Sequence, residues 1–286
     1  STEAEATTTT VDPRQLAPAP LENRVDPALP YEGQWAPLDT SAGGLSSMWV
    51  TSARPLADYQ SVVATFVVFD PLVYRAALHN GSETPGGKWE YDDKIQRELW
   101  PQAVAAFNGG FRFEHYRGGY MAEGRVVKEL RDGEATVAID NDGVMQVGLY
   151  GRDFTNDGSW ASLRQNLPPV VDKGRESWQD YPGTKWGDDG KNAIFVFRTA
   201  LCSLEDGRLM YVAVDDADIE LLARTLVYGG CQFAVELDEN YFWPCFVWFY
   251  QRDDGKLDSN RVDDRMHNPS RYVKSSKKDF FVLYRR

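Results

Sequence analysis

The sequence predicts an α+β fold in which strands far outnumber helices. Runs of residues rich in Val, Tyr, Phe and Thr recur along the chain, and such side chains suit a pleated, half-buried surface. Turn signals such as Asn80-Gly81 and Asn141-Asp142-Gly143 separate these runs. One stretch has a clean helical period: Ile219, Leu222, Ala223, Leu226 and Val227 recur at the spacing of one buried face, and Gly229-Gly230 supplies a stop.

In chain order, residues Ser1 to Pro30 carry a Thr run and five prolines with few large apolar side chains, the composition of a linker or disordered arm. Such an arm suits a tether to a membrane anchor as well as a plain terminus. The packed body begins near Gln34, so one domain is expected over residues 31–286. Met48 to Ala53, Val62 to Phe69 and Val73 to Leu78 read as strands. The second is apolar on both faces and belongs in a sheet centre. Asp92 to Trp100 reads as a short helix stopped by Pro101, and Ala103 to Phe107 as a strand of small residues. It runs into Asn108-Gly109-Gly110-Phe111, where paired glycines allow close backbone approach or a tight turn. Gly118 to Arg125 and Thr136 to Val147 read as hairpins. Asn156 to Gly190 is loop-rich, with a helical turn expected at Arg164 to Leu167. Ile194 to Leu201 is an apolar strand carrying one arginine, Arg198. Phe246 to Tyr250 is a strand, Gln251 to Ser270 a polar loop, and Lys278 to Tyr284 a closing strand.

The net charge of −12 and the lack of a Lys/Arg cluster argue against nucleic acid as a partner. An anionic substrate then needs a local cationic pocket. The 9 Trp either line a carbohydrate groove or fill a β-rich core. No hydrophobic run is long enough to span a bilayer, and the Ser/Thr/Glu/Ala-rich start is that expected of a mature terminus without a signal peptide. Of three cysteines, Cys202, Cys231 and Cys245, one pair can join, and the sequence does not say which. The three His are too scattered for a zinc site, so no metal and no cofactor are expected. Asn80-Gly81-Ser82 fits a glycosylation sequon.

The chemistry gathers around Val212 to Tyr250. A strand ending in Asp215-Asp216 leads into the helix, and the next strand ends in Glu236-Leu237-Asp238-Glu239-Asn240. Glu236 and Asp238 are two residues apart, so a continuing strand would project them from one face. Acids there are either solvated edge charges or an active-site pair. Arg198, on a buried strand, needs an anionic partner: Glu236, Asp238 or a substrate phosphate.

The order of Asn108-Gly109-Gly110-Phe111, Arg198-Thr199-Ala200, Val214-Asp215 with its helix, and Leu237-Asp238 resembles the phosphodiester glycosidase family, over roughly Val62 to the C-terminus. The resemblance implies a single α+β domain with twisted mixed β-sheets and a cleft where Asn108, Arg198 and Asp238 converge. It implies a hydrolase acting on the bond between a sugar C1 and a phosphodiester, in cell-envelope or extracellular glycopolymers, and a secreted or cell-surface location. Asp238, Glu236 and Arg198 would be catalytic; Asn108, Gly109, Gly110, Phe111, Asp215 and Asn240 would bind the carbohydrate or sugar-phosphate substrate. In the family, glycines and then serines follow the Leu-Asp; here Glu239-Asn240-Tyr241-Phe242 stand there, and Glu236 replaces the usual Asn, a form similar to an actinobacterial branch. Without those glycines, the alternative is a non-catalytic glycan-binding or wall-associated protein that retains the fold.

Overall fold

The computed structural model describes residues 12–40, 45–186 and 195–286. Among them, three sheets meet at a central core, with further buried layers on their outer faces. An eight-stranded sheet runs in the spatial order Ala36–Thr40, Ser46–Ala53, Ala64–Phe69, Leu209–Ala217, Val196–Ser203, Phe233–Glu236, Val171–Asp172, Arg175–Glu176. A five-stranded sheet is ordered Arg125–Lys128, Tyr120–Ala122, Trp160–Gln165, Ala135–Asp140, Met145–Leu149. Another is ordered Leu257–Arg261, Phe246–Gln251, Ala103–Asn108, Phe280–Arg285, Tyr74–His79. The ladders between these strands are antiparallel. Among the described residues, parallel pairing is confined to the isolated bridges Gly81–Pro85 and Tyr150–Phe154, outside these strands, so the sheets are antiparallel rather than mixed as the resemblance implied.

The period of two explains how one strand serves two cores. In Ala64–Phe69, Phe66 and Val68 face a layer made with Leu221, Leu222 and Leu226 of the helix. Val67 and Phe69 face the central core, where Phe107, Phe281, Val137 and Tyr120 of the other two sheets meet them. The strand is buried throughout because it has no solvent face.

The helix spans Ile219–Tyr228. Asp218 caps it, its side chain accepting from the Leu221 N–H at 2.9 Å, and Gly230 follows with φ +87°. Its buried face holds Leu221, Leu222, Ala223, Thr225 and Leu226; Val227 is exposed, so the face lies one position back from the expected one. A further disagreement is the helix expected at 92–100. A 3-10 helix occupies Arg97–Gln102 instead, with Pro101 inside it rather than after it. Arg164 lies in the strand Trp160–Gln165, not in a helical turn. The expected polar loop 251–270 contains the strand Leu257–Arg261.

Residues 12–30 pack onto the body rather than forming a free arm or a separate unit. Trp35 donates to the Ala19 carbonyl, Arg54 to those of Val25 and Pro27, and Tyr228 to that of Glu22. Residues 1–11, the rest of the expected arm, lie outside the described residues, as does Ile194. Asn80 of the Asn80-Gly81-Ser82 sequon does not present its amide to solvent. It is buried, its amide donating to the Tyr91 carbonyl and its oxygen accepting from Tyr120. Cys202 and Cys231 form the disulfide, and Cys245 is free and buried.

Candidate active site

The strand Phe233–Glu236 ends where the expected same-face projection fails. Leu237 still donates to Thr199 of the neighbouring strand, but Asp238 donates across to the Gly109 carbonyl at 2.8 Å, leaving one sheet for another. The chain then returns, Asn240 donating to the Phe197 carbonyl. This detour sends the acids apart. The Asp238 carboxylate meets Lys278 in a direct ion pair, while Glu239 swings back beside Glu236.

Asn108 anchors the detour. Its amide donates to the Thr199 hydroxyl at 2.9 Å and to the Asp238 carbonyl at 3.2 Å, and its oxygen accepts from Tyr211 at 2.9 Å and from the Cys245 N–H at 3.2 Å. With its side chain so occupied, Asn108 positions Asp238 instead of facing a ligand. The glycines after it are required by packing. A Cβ on Gly109 would overlap the Asp279 carboxylate, and one on Gly110 would lie 2.7 Å from the Arg164 guanidinium carbon. The amides of this turn point inward: Gly109 and Gly110 donate to Asp279, and Phe111 donates to Asn166. They do not form the anion-binding backbone that the motif suggested.

A cavity of about 420 Å³ opens at this junction. Asp238, Glu239, Asn240 and Lys278 line it, with Phe111, Tyr241, Phe242 and Trp243 as aromatic walls and Arg112, His115 and Lys185 as further basic side chains. Tyr241 and Phe242 are exposed at the mouth. Arg271 holds their loop by donating to the Trp243 and Phe242 carbonyls. Of the expected site residues, Asp238, Asn240 and Phe111 reach the cavity. Glu236 and Arg198 are fully buried behind it. Asp215 does not line it, and Gly109 and Gly110 sit behind its wall.

Arg198 does not reach the cavity because its donors are used within the protein. Its Nε donates to the Ala217 carbonyl at 2.8 Å and one Nη to the Trp186 carbonyl at 2.9 Å. The other Nη lies 2.5 Å from Glu236 and 2.6 Å from Glu239. Its carboxylate partners are therefore Glu236 and Glu239, not Asp238. Two carboxyls on one buried guanidinium favour holding one proton between them. Burial raises Glu239 to about 8, with the Glu236 charge adding to the rise and Arg198 opposing it. Burial likewise raises Glu236 and Asp238, opposed by Arg198 and Lys278 respectively. The proton held by the Glu236–Glu239 pair thus sits at the cavity wall, where Glu239 lines the cavity beside Asp238. Among the described residues, no three His, Cys, Asp or Glu side chains gather to hold a metal ion.

The raised acid has a consequence for stability. A carboxyl whose folded value lies above its ordinary 4.5 binds a proton that the unfolded chain has released. Its contribution is complete below pH 4.5 and is lost as pH rises to about 8. Buried His79, lowered to about 4 from 6.5, has the opposite slope, but only below pH 6.5. Between pH 6.5 and 8, Glu239→Gln is expected to flatten the fall of stability with pH seen by urea unfolding. An identical slope in both proteins would contradict the raised acid.

Glu239, Lys278 and the buried pair Arg164–Asp279 were not singled out by the sequence reading. Arg164 Nε lies 2.9 Å from Asp279, and Arg164 also donates to the Phe111 carbonyl, so this pair locks the Gly109–Phe111 turn. The available signal was a charged Lys278-Asp279 at the head of an apolar closing strand.

Residues 101–238 match the phosphodiester glycosidase family. The fold is similar to that of the zebrafish N-acetylglucosamine-1-phosphodiester alpha-N-acetylglucosaminidase catalytic domain, solved in a form auto-inhibited by its pro-peptide. The TM-score is 0.55 at 17% identity, over 88% of each chain. A hypothetical protein from Synechocystis gives 0.42 at 11% identity, over 79% of this chain and 59% of that one. A candidate exported protein from Burkholderia pseudomallei gives 0.41 at 13%, over 78% and 74%. No curated protein matches the chain.

Proposed function

We propose that this chain, whose residues 101–238 belong to the phosphodiester glycosidase family, is a glycoside hydrolase that cleaves the bond between a sugar C1 and a phosphodiester in cell-envelope or extracellular glycopolymers. The observation that carries this reading is the pairing of Asp238 and Glu239 in one cavity, the first beside the Lys278 ammonium and the second raised by burial and the Glu236 charge. Asp238 accepts a proton from water as the water oxygen bonds to C1. The C1–O bond breaks, its electron pair leaves on the phosphate oxygen, and Glu239 donates a hydrogen bond or its proton to that oxygen. Phosphate is a weak base, so little proton transfer is needed for departure. Phe111 and Trp243 offer apolar faces for a sugar ring. Glu236 and Arg198 act through Glu239, without touching substrate. The Cys202–Cys231 disulfide supports an oxidising, extracytoplasmic location.

Incubation with N-acetylglucosamine-1-phosphodiesters and with purified cell-wall polymers tests the reading through release of reducing sugar and a phosphomonoester. The inward-turned amides and the Glu239-Asn240 segment favour the second reading, a glycan-binding protein without turnover. Saturable binding of such a polymer with no product released from any of these substrates would select it.

A further inference from the structure

We propose that Lys278 is the phosphate-binding residue of this cavity, and that a bound phosphodiester draws its ammonium away from Asp238. This rests on the hydrolase reading above and adds how the substrate itself readies the base.

The assignment comes from asking which cation can meet an anion inside the cavity. Arg198 is turned away onto Glu236 and Glu239, and Arg164 is locked to Asp279. The Gly109 to Phe111 amides are bonded inward. Arg112, on the wall, is paired with Glu83 at 3.0 Å. His115 and Lys185 are exposed, where solvent screens a charge. Lys278 differs in being 5% exposed while still lining the cavity. Its carboxylate partner, Asp238, lines the same cavity, so the pair sits where a ligand can insert. The ammonium also lies 4.9 Å from the Trp243 ring centroid, on the aromatic wall.

The exchange follows from charge. The empty pair is neutral and the chain as a whole repels anions, so an entering phosphodiester gains most by taking the buried ammonium. Four methylenes let the Lys278 head move to the phosphate without moving the strand. Asp238 then loses its nearest cation and becomes more basic while the substrate is in place. The resting pair would keep that carboxylate quiet until a phosphate arrives.

Calorimetric titration with dimethyl phosphate, a phosphodiester monoanion lacking sugar, reads this without turnover. Asp238→Asn should bind the diester about tenfold more tightly than the wild type, because the competing carboxylate is gone. Adding Lys278→Met to Asp238→Asn should abolish that binding; this double variant removes both buried charges together and leaves neither orphaned. Equal affinity in wild type and Asp238→Asn, or full binding by a folded double variant, would overturn the proposal. If these affinities come out as expected and no sugar-1-phosphodiester is hydrolysed, the phosphate site stands and the hydrolase reading falls. Turnover by the wild type with binding indifferent to Lys278 would sink the phosphate site alone.

Discussion

Asp238→Asn is expected to lower kcat on a sugar-1-phosphodiester by about 10²- to 10⁴-fold, the range of a lost general base. KM should not rise with it, because the amide no longer competes with phosphate for Lys278. That split identifies a group acting on the reacting atoms rather than on binding alone. Some stability should also be lost, since Lys278 keeps only an amide oxygen as partner. Rates are therefore compared well below the melting temperature of the variant. Unchanged kcat would remove Asp238 from the chemistry and require another group as the base.

Much of this arrangement could be anticipated from local pattern. The all-apolar run 64–69 marked a sheet centre, and the helical period with its glycine stop marked the one α-helix among the described residues. Asp238 and Phe111, which the family resemblance implied, line the cavity, and the strand end and glycine turn beside them are their local trace in the sequence. What pattern could not supply was where the chain goes once a strand ends. The two-residue spacing of Glu236 and Asp238 implied one face, but the Asp238 N–H leaves its sheet for Gly109, and Glu239 inherits the place beside Glu236. Arg164 and Asp279 are 115 residues apart, so their pairing has no local signature. A short segment of mixed polarity such as Trp160–Gln165 is ambiguous between strand and turn, which hid Arg164 from view. Lys278 belongs to the site only through the packing of the closing strand beside Ala103–Asn108.

Arg198→Ala is expected to cost about 3–5 kcal/mol of stability, the price of leaving buried charge without its partner. Glu236 and Glu239 would share a site without a cation, and the Ala217 and Trp186 carbonyls would lose a donor each. For a chain of this size the melting temperature should fall by roughly 6 °C or more. Arg198→Lys should fall less, because one ammonium can still reach the carboxyls but cannot span both carbonyls as the planar guanidinium does. Activity should respond through Glu239. Arg198 opposes the rise of that acid, so removing it keeps Glu239 protonated to higher pH and moves the alkaline limb of the rate profile upward. KM for the phosphodiester should change little, since the guanidinium is buried behind the cavity. Melting curves and pH–rate profiles of both variants check this together. An unchanged melting temperature for Arg198→Lys, with KM raised severalfold, would return Arg198 to the role of phosphate holder and displace Lys278 from it.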